Sequence, residues 1–143
     1  MRFLLDTNVI SEPLKASPDE RVLRWLQGHP AADYAVSVLT LGELQKGVSM
    51  MAAGRRRVAL ERWLANELPR QFSNRVLDVD DKTALSWGRL TAKGVAAGRP
   101  LPVVDGLLLA SAEVRGLTFV TRNEGDCAGR GVPVINPWAE NES

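Results

Sequence analysis

FLLDTNVISE, residues 3–12, sets a carboxylate directly after three apolar residues and follows it with small polar ones. Residues 2–5 read as a short strand, its apolar run of three ending at a charge, that delivers Asp6 at its tip. The residues after Asp6 read as a short helix ending near Leu14. Working outward, PDERVLRWLQG (18–28) has Pro and acids first and Gly last, which marks a helix start and stop. YAVSV (34–38) reads as a second strand. Residues 40–53 read as a helix with Thr40 as N-cap and Glu43 three positions later, a capping-box spacing. VALERWLANEL (58–68) is amphipathic, with Leu60, Trp63, Leu64 and Leu68 on one face and Pro69 beyond its end. RVLDV (75–79) is a short strand or an extended link. A helix is predicted over 80–97, with Trp87 and Leu90 inward and Gly98 as its stop. Another is predicted over 103–116, ended by Gly116. TFVT (118–121) and VPVI (132–135) complete the strands.

Strands alternating with helices predict an α/β fold, a mostly parallel central sheet with helices on both faces. The 143 residues suit a single domain over 1–143. In such sheets functional groups gather beyond the carboxyl ends of the strands, and that is where Asp6 falls.

Three further acids lie beside element ends. Glu43 opens the helix after YAVSV, Asp105 lies in the first turns of the helix over 103–116, and Asp126 follows TFVTRN. Each has a structural reading: Asp6 as an N-cap, Glu43 closing a capping box, Asp105 complementing a helix dipole, Asp126 in a turn-rich loop. Asp6 and Asp105 resist it most, because FLLD and PVVDGLLLA embed them in apolar sequence, and aspartate is seldom buried unpaired. If the strands are adjacent and parallel, all four can meet at one edge. At 4 Å two like charges repel by roughly 4 kcal/mol at an effective dielectric of 20, so such a set raises its own pKa values or takes up cations. The one histidine, His29, sits at a turn in GHP, and the one cysteine, Cys127, makes no thiolate site alone. All-oxygen ligation favours Mg²⁺, with Mn²⁺ as a substitute. Carboxylates with open metal positions suit metal-assisted phosphodiester cleavage.

Composition excludes other classes. A net charge of +1, 45% hydrophobic and 24% charged residues describe an ordinary globular chain, not a strongly basic nucleic-acid binder. Arg55-Arg56-Arg57 reads as a solvated helix start or loop. A single cysteine fits a reducing compartment. No apolar run approaches the ~18 residues of a membrane helix, and Asp6 interrupts any leader-like apolar stretch. The expected location is cytoplasmic, with no membrane association.

With these residues in view, the sequence resembles the PIN-domain family, and within it the VapC and FitB-like toxins of bacterial toxin–antitoxin pairs. LLDTNVISE (4–12), SVLTLGELQKGV (37–48), PLPVVDGLLLASA (100–112), VTRN (120–123) and NPW (136–138) carry the resemblance from end to end, in the family's order. It implies a PIN fold and a Mg²⁺-dependent endoribonuclease acting on single-stranded or loop RNA. It maps the family's first three acids onto Asp6, Glu43 and Asp105, with Asp6 and Asp105 as metal ligands. The fourth place falls to Asp126 ahead of Asn123, which could hold a water or phosphate by hydrogen bonds. Cys127 departs from the Phe that usually follows this acid. Thr7 and Asn8 are expected to orient the ligands from behind.

A phosphatase of the haloacid-dehalogenase type also places Asp at a first strand tip. It needs a second Asp two residues on, where Asn8 stands here. The other reading is a catalytically silent PIN-like binding module, which the retained Asp6, Glu43 and Asp105 oppose. The resemblance also implies an antitoxin of the VapB or FitA kind, and an anionic pocket would admit its arginine. The segment 40–68, with Val48, Met50, Met51, Trp63 and Leu68, carries more apolar surface than a small sheet requires and so predicts a homodimer.

Overall fold

The computed structural model describes residues 1–139, so the last four residues of the expected 1–143 domain lie outside it. Five parallel strands form one sheet in the order β3-β2-β1-β4-β5. They are β1 (Phe3–Leu5), β2 (Tyr34–Ser37), β3 (Val76–Leu77), β4 (Thr118–Val120) and β5 (Val134–Ile135). The first strand of the chain is therefore the central one. Chain order runs outward from it through β2 and β3 on one side, then jumps to β4 and β5 on the other. The crevice beyond the carboxyl ends of β1 and β4 lies at this topological switch.

The side-chain period of two explains why both sheet faces are covered. Leu4, Ala35 and Phe119 point into one core cluster, while Phe3, Leu5, Tyr34, Val36 and Val120 point into the other. The first face is covered by α6 (Asp81–Ala96) and α7 (Val103–Arg115), through Leu90, Leu108 and Leu109. The second is covered by α1 (Thr7–Ser11), α2 (Glu20–Gln27), α3 (Val38–Ser49) and α5 (Leu68–Gln71), through Val9, Val22, Leu44 and Leu68, while α4 (Arg55–Arg62) has no buried residue. Among the described residues no helix is long and apolar enough to cross a membrane.

Three local expectations change. Helix α3 begins at Val38, because Ser37 at the end of β2 accepts the Leu39 N–H at 3.1 Å and acts as the cap. Thr40 is consequently buried inside the helix, and Glu43 lies in its second turn with no capping box to close. Pro69 does not end its helix. The turn Trp63–Glu67 widens into a π-turn, in which the Leu68 N–H reaches Trp63 O, and α5 continues to Gln71 with Pro69 in its first turn. Widening the turn relieves the clash that a proline ring makes with the carbonyl four residues back. The turn-rich stretch after Asn123 contains a four-residue helix, α8 (Glu124–Cys127).

The apolar surplus of 40–68 is largely internal. Val48 and Leu68 are buried and Trp63 packs against the same core, whereas Met50 is 76% exposed. The arginine triplet opens α4, where Arg57 pairs with Glu61 at 2.8 Å and Arg56 donates to Leu14 O.

Two glycines of α6 test the packing in opposite directions. A Cβ at Gly88 meets nothing within 4 Å, while one at Gly94 would lie 2.7 Å from Arg99 O. Gly88→Ala is expected to raise stability by about 0.5–1 kcal/mol through the unfolded chain. Gly94→Ala is expected to lower it by about 1–3 kcal/mol through overpacking. Urea denaturation of the two variants checks both signs.

Candidate active site

Asp6 leaves the end of β1 with its backbone N–H on Val120 O at 2.9 Å, so the β1–β4 ladder runs up to the carboxylate itself. Its side chain is buried. Oδ1 accepts the Thr7 N–H at 2.7 Å, and Oδ2 accepts the Thr121 hydroxyl at 2.7 Å. The capping role read from the sequence is real, but it engages only one of the two oxygens. Thr121 follows β4 directly and is itself buried; its Oγ1 also accepts the Asn123 N–H at 3.0 Å.

The remaining acids reach the same edge on helices. Thr7 Oγ1 donates to Glu43 Oε1 at 2.6 Å, which ties α1 to α3 and turns Glu43 toward the strand ends. Asp105 is the third residue of α7, near the positive end of that helix. Asn123 Nδ2 donates both to Asp105 Oδ2 at 2.9 Å and to Asp126 Oδ2 at 3.1 Å, so one amide holds two carboxylates side by side. Asn8 Oδ1 accepts the Arg122 N–H at 3.4 Å, a long bond that links α1 to the segment after β4. All seven residues singled out from the sequence thus come together. Thr121 has no role in the sequence reading, although it stands inside the quoted VTRN; a hydroxyl directly after a strand, two residues before Asn123, was the available signal.

Burial pushes the Asp6 carboxyl up from its ordinary 3.8 to about 6, against the opposing pull of Thr121 and Thr7, and the charges of Asp105 and Glu43 add to the rise. Asp105 is raised as well, by burial first; Asn123 opposes the rise, while Asp126 and Glu43 reinforce it. Burial followed by the Asp105, Asp6 and Asp126 charges lifts the Cys127 thiol to about 12. Cys127 is therefore a neutral, buried filler in the core, not a nucleophile.

By its chemistry the donor set suits a hard divalent cation. It consists of carboxylate oxygens that repel one another, held by neutral donors from Thr7, Thr121 and Asn123, with no Lys or Arg among their hydrogen-bond partners. No closed cage is preformed, since among the described residues no three acidic, His or Cys side chains are grouped closely enough to hold one ion. An open cavity of about 480 Å³, bounded by Thr7, Glu43, Lys46, Met50 and Val104, leads away from the Glu43 side.

A model of the PIN domain matches residues 3–126. The chain belongs to the PIN-domain family. Among its PIN relatives, the plasmid stability protein StbB of Pseudomonas syringae pv. tomato is 38% identical over 95% of this chain and 98% of its own. Toxin FitB of Neisseria gonorrhoeae is 35% identical over 95% and 98%. The VapC ribonuclease Y4jK of Sinorhizobium fredii is 35% identical over 95% and 97%. The crystal structure of FitAcB from Neisseria gonorrhoeae superposes with a TM-score of 0.92 at 34% identity, covering 96% of this chain and 99% of that one.

The raised Asp6 gives this PIN domain a pH-dependent stability. Between about pH 4 and 6 the folded chain keeps a proton that the unfolded chain releases. The stabilisation from that proton is complete below about pH 4 and is lost as pH rises through 6. Two pKa units correspond to about 3 kcal/mol. Asp6→Asn is therefore expected to be more stable than the parent in EDTA at pH 7.5, by up to about 3 kcal/mol. The advantage should vanish near pH 4. Urea midpoints at the two pH values read the difference.

Proposed function

We propose that the protein is a Mg²⁺-dependent endoribonuclease, the toxin of a toxin–antitoxin pair. The convergence of Asp6, Glu43, Asp105 and Asp126 at the switch point, with only neutral donors between them, carries the reading. The relatives named toxin and ribonuclease support it. Asp6 and Asp105 are the residues to hold Mg²⁺, or Mn²⁺ in its place. The bound metal supplies acidification of a water and charge neutralisation at the phosphate. Glu43, oriented by Thr7 and bordering the open cavity, is the group placed to take up a proton from the attacking water. Asn123 keeps Asp105 and Asp126 from turning away, and Thr121 does the same for Asp6. Single-stranded or looped RNA suits an open edge site, because its splayed backbone reaches a cleft that a duplex cannot enter.

Purified protein should cut single-stranded RNA with Mg²⁺ and stop in EDTA. Sequencing the new ends gives the site of cleavage. Asp105→Asn should lower the rate roughly 10²-fold or more, equivalent to a loss of about 3 kcal/mol of transition-state stabilisation. Undiminished cutting in EDTA, or by the variant, would favour the silent binding module with a contaminating nuclease.

The partner is an antitoxin of the VapB or FitA kind, in keeping with the toxin–antitoxin complexes among the structural neighbours. A guanidinium from that partner fits between carboxylates that lack a cation, by charge-assisted bonds to the oxygens that Mg²⁺ would use. The complex should then bind Mg²⁺ more weakly than the free protein in a calorimetric titration. Equal affinity would place the inhibition elsewhere. Light scattering of the same two samples gives the copy number, expected to be two chains of this protein in each. The pairing rests on apolar side chains that stay outside, among them Met50, Val103 and Val104.

A further inference from the structure

Behind the α8 turn lies a second cavity, of about 330 Å³, between the end of α6 and the loop that leads to β5. Its wall carries three cations, Lys93, Arg99 and Arg130, and three glycines, Gly94, Gly129 and Gly131. The glycines let the cations approach. A Cβ at Gly94 would sit 3.0 Å from Arg130 Nη1, and one at Gly129 would sit 3.6 Å from Arg99 Nη1. Gly129 and Gly131 also hold left-handed backbone, at φ 76° and 86°, which bends the loop around the cavity. Leu90 and Ala97 supply apolar wall, so charge is poorly screened inside.

The two guanidinium groups are held by backbone and not by acids. Arg99 Nη2 donates to Gly125 O at 2.7 Å, Arg130 Nε to Asp126 O at 2.6 Å, and Arg130 Nη1 to Arg99 O at 3.1 Å. Arg130 Nη2 is covered and meets no acceptor. Among the described residues no carboxylate stands within ion-pair distance of Lys93, Arg99 or Arg130. Three cations without an acidic partner among the described residues, and a buried donor without an acceptor there, give this wall the chemistry that receives an anion. The Asp126 carboxylate faces Asn123 on the other side of the same turn. The cavity and the acidic centre are therefore separated by a single turn of helix.

We propose that this cavity is a phosphate subsite, taken by a backbone phosphate of the RNA strand whose scissile bond lies at the acidic centre. The RNA assignment rests on the nuclease reading above; the anion site does not. Binding there would anchor the strand on positive charge one turn away from carboxylates that repel it.

Lys93 is exposed and makes no side-chain hydrogen bond or ion pair among the described residues, so its replacement leaves the fold intact. Inorganic phosphate is titrated with the protein in EDTA and followed by the width of its ³¹P resonance. A short single-stranded RNA is then added, and its own affinity is measured at several salt concentrations. The parent is expected to broaden the phosphate line and RNA to sharpen it again. Lys93→Gln should weaken both ligands several-fold and flatten the salt dependence of RNA binding by about 0.7, the slope for one lost phosphate contact on a single strand. Lys93→Arg should restore both. Unchanged broadening and unchanged salt dependence in Lys93→Gln would overturn the proposal. Phosphate binding through Lys93 that RNA does not displace would overturn the RNA assignment and leave a site for a free anion. Failure of the parent to cut RNA with Mg²⁺ would end the nuclease reading, while broadening that depends on Lys93 would still establish the anion site.

Discussion

The hydrogen bond from Thr121 Oγ1 to Asp6 Oδ2 joins the ends of the two strands that meet at the switch point of the sheet. Both residues are buried, and both continue strands whose side chains fill the cores on either face. Pairing β1 with β4 brings the carboxylate and the hydroxyl together, and the hydroxyl then positions Asn123 through its backbone N–H. Asn123 in turn sets Asp105 and Asp126. The placing of Asp6, Asp105 and Asp126 thus follows from one strand pairing through a chain of hydrogen bonds, and Thr7 adds Glu43 from α3.

That arrangement runs against the electrostatics of the free protein. A carboxylate is stabilised by water or by cations, and the buried Asp6 has no cationic side chain among its hydrogen-bond partners in the described residues. Neutral donors hold it in place but cannot cancel its charge, so burial and the neighbouring acids raise its pKa despite them. Such frustration is common where a site is shaped for a ligand, because groups that would relax it on their own would also compete with the ligand. The arginines nearest the centre follow the same division. Arg99 and Arg130 bond to backbone carbonyls of α8 and not to the carboxylates.

Small residues let helices approach where the site needs support. Gly106 follows Asp105 directly, and a Cβ there would come within 3.1 Å of Trp87 Cδ1, so α7 lies close against α6 just where it presents the carboxylate. Cys127 fills a core position beside α7, and its high pKa keeps it neutral among the acids. The π-turn before Pro69 serves the opposite face: it keeps Leu68 buried while the helix runs on to Phe72, which closes the core over β2 and β1.

FLLDTNVISE by itself determined a first strand, the helix after it and the carboxylate between them, because a period of two and a charge at a strand end are local properties; the sheet order made that strand the central one. The alternation of apolar runs and helical patterns determined the parallel α/β class, and placement next to element ends marked Asp6, Glu43, Asp105 and Asp126. Helix limits were less legible. Thr40 satisfies a capping rule as well as Ser37 does, and only the end of β2 decides between them. Pro69 stops a helix by its local chemistry unless the preceding turn widens, and burial of Leu68 against the sheet favours that widening. The tertiary structure alone decided that Thr121 holds Asp6 across 115 positions, and that Lys93, Arg99 and Arg130 share one cavity. Contacts between residues far apart in the chain depend on strand order and helix approach, and neither leaves a periodic signal in the sequence.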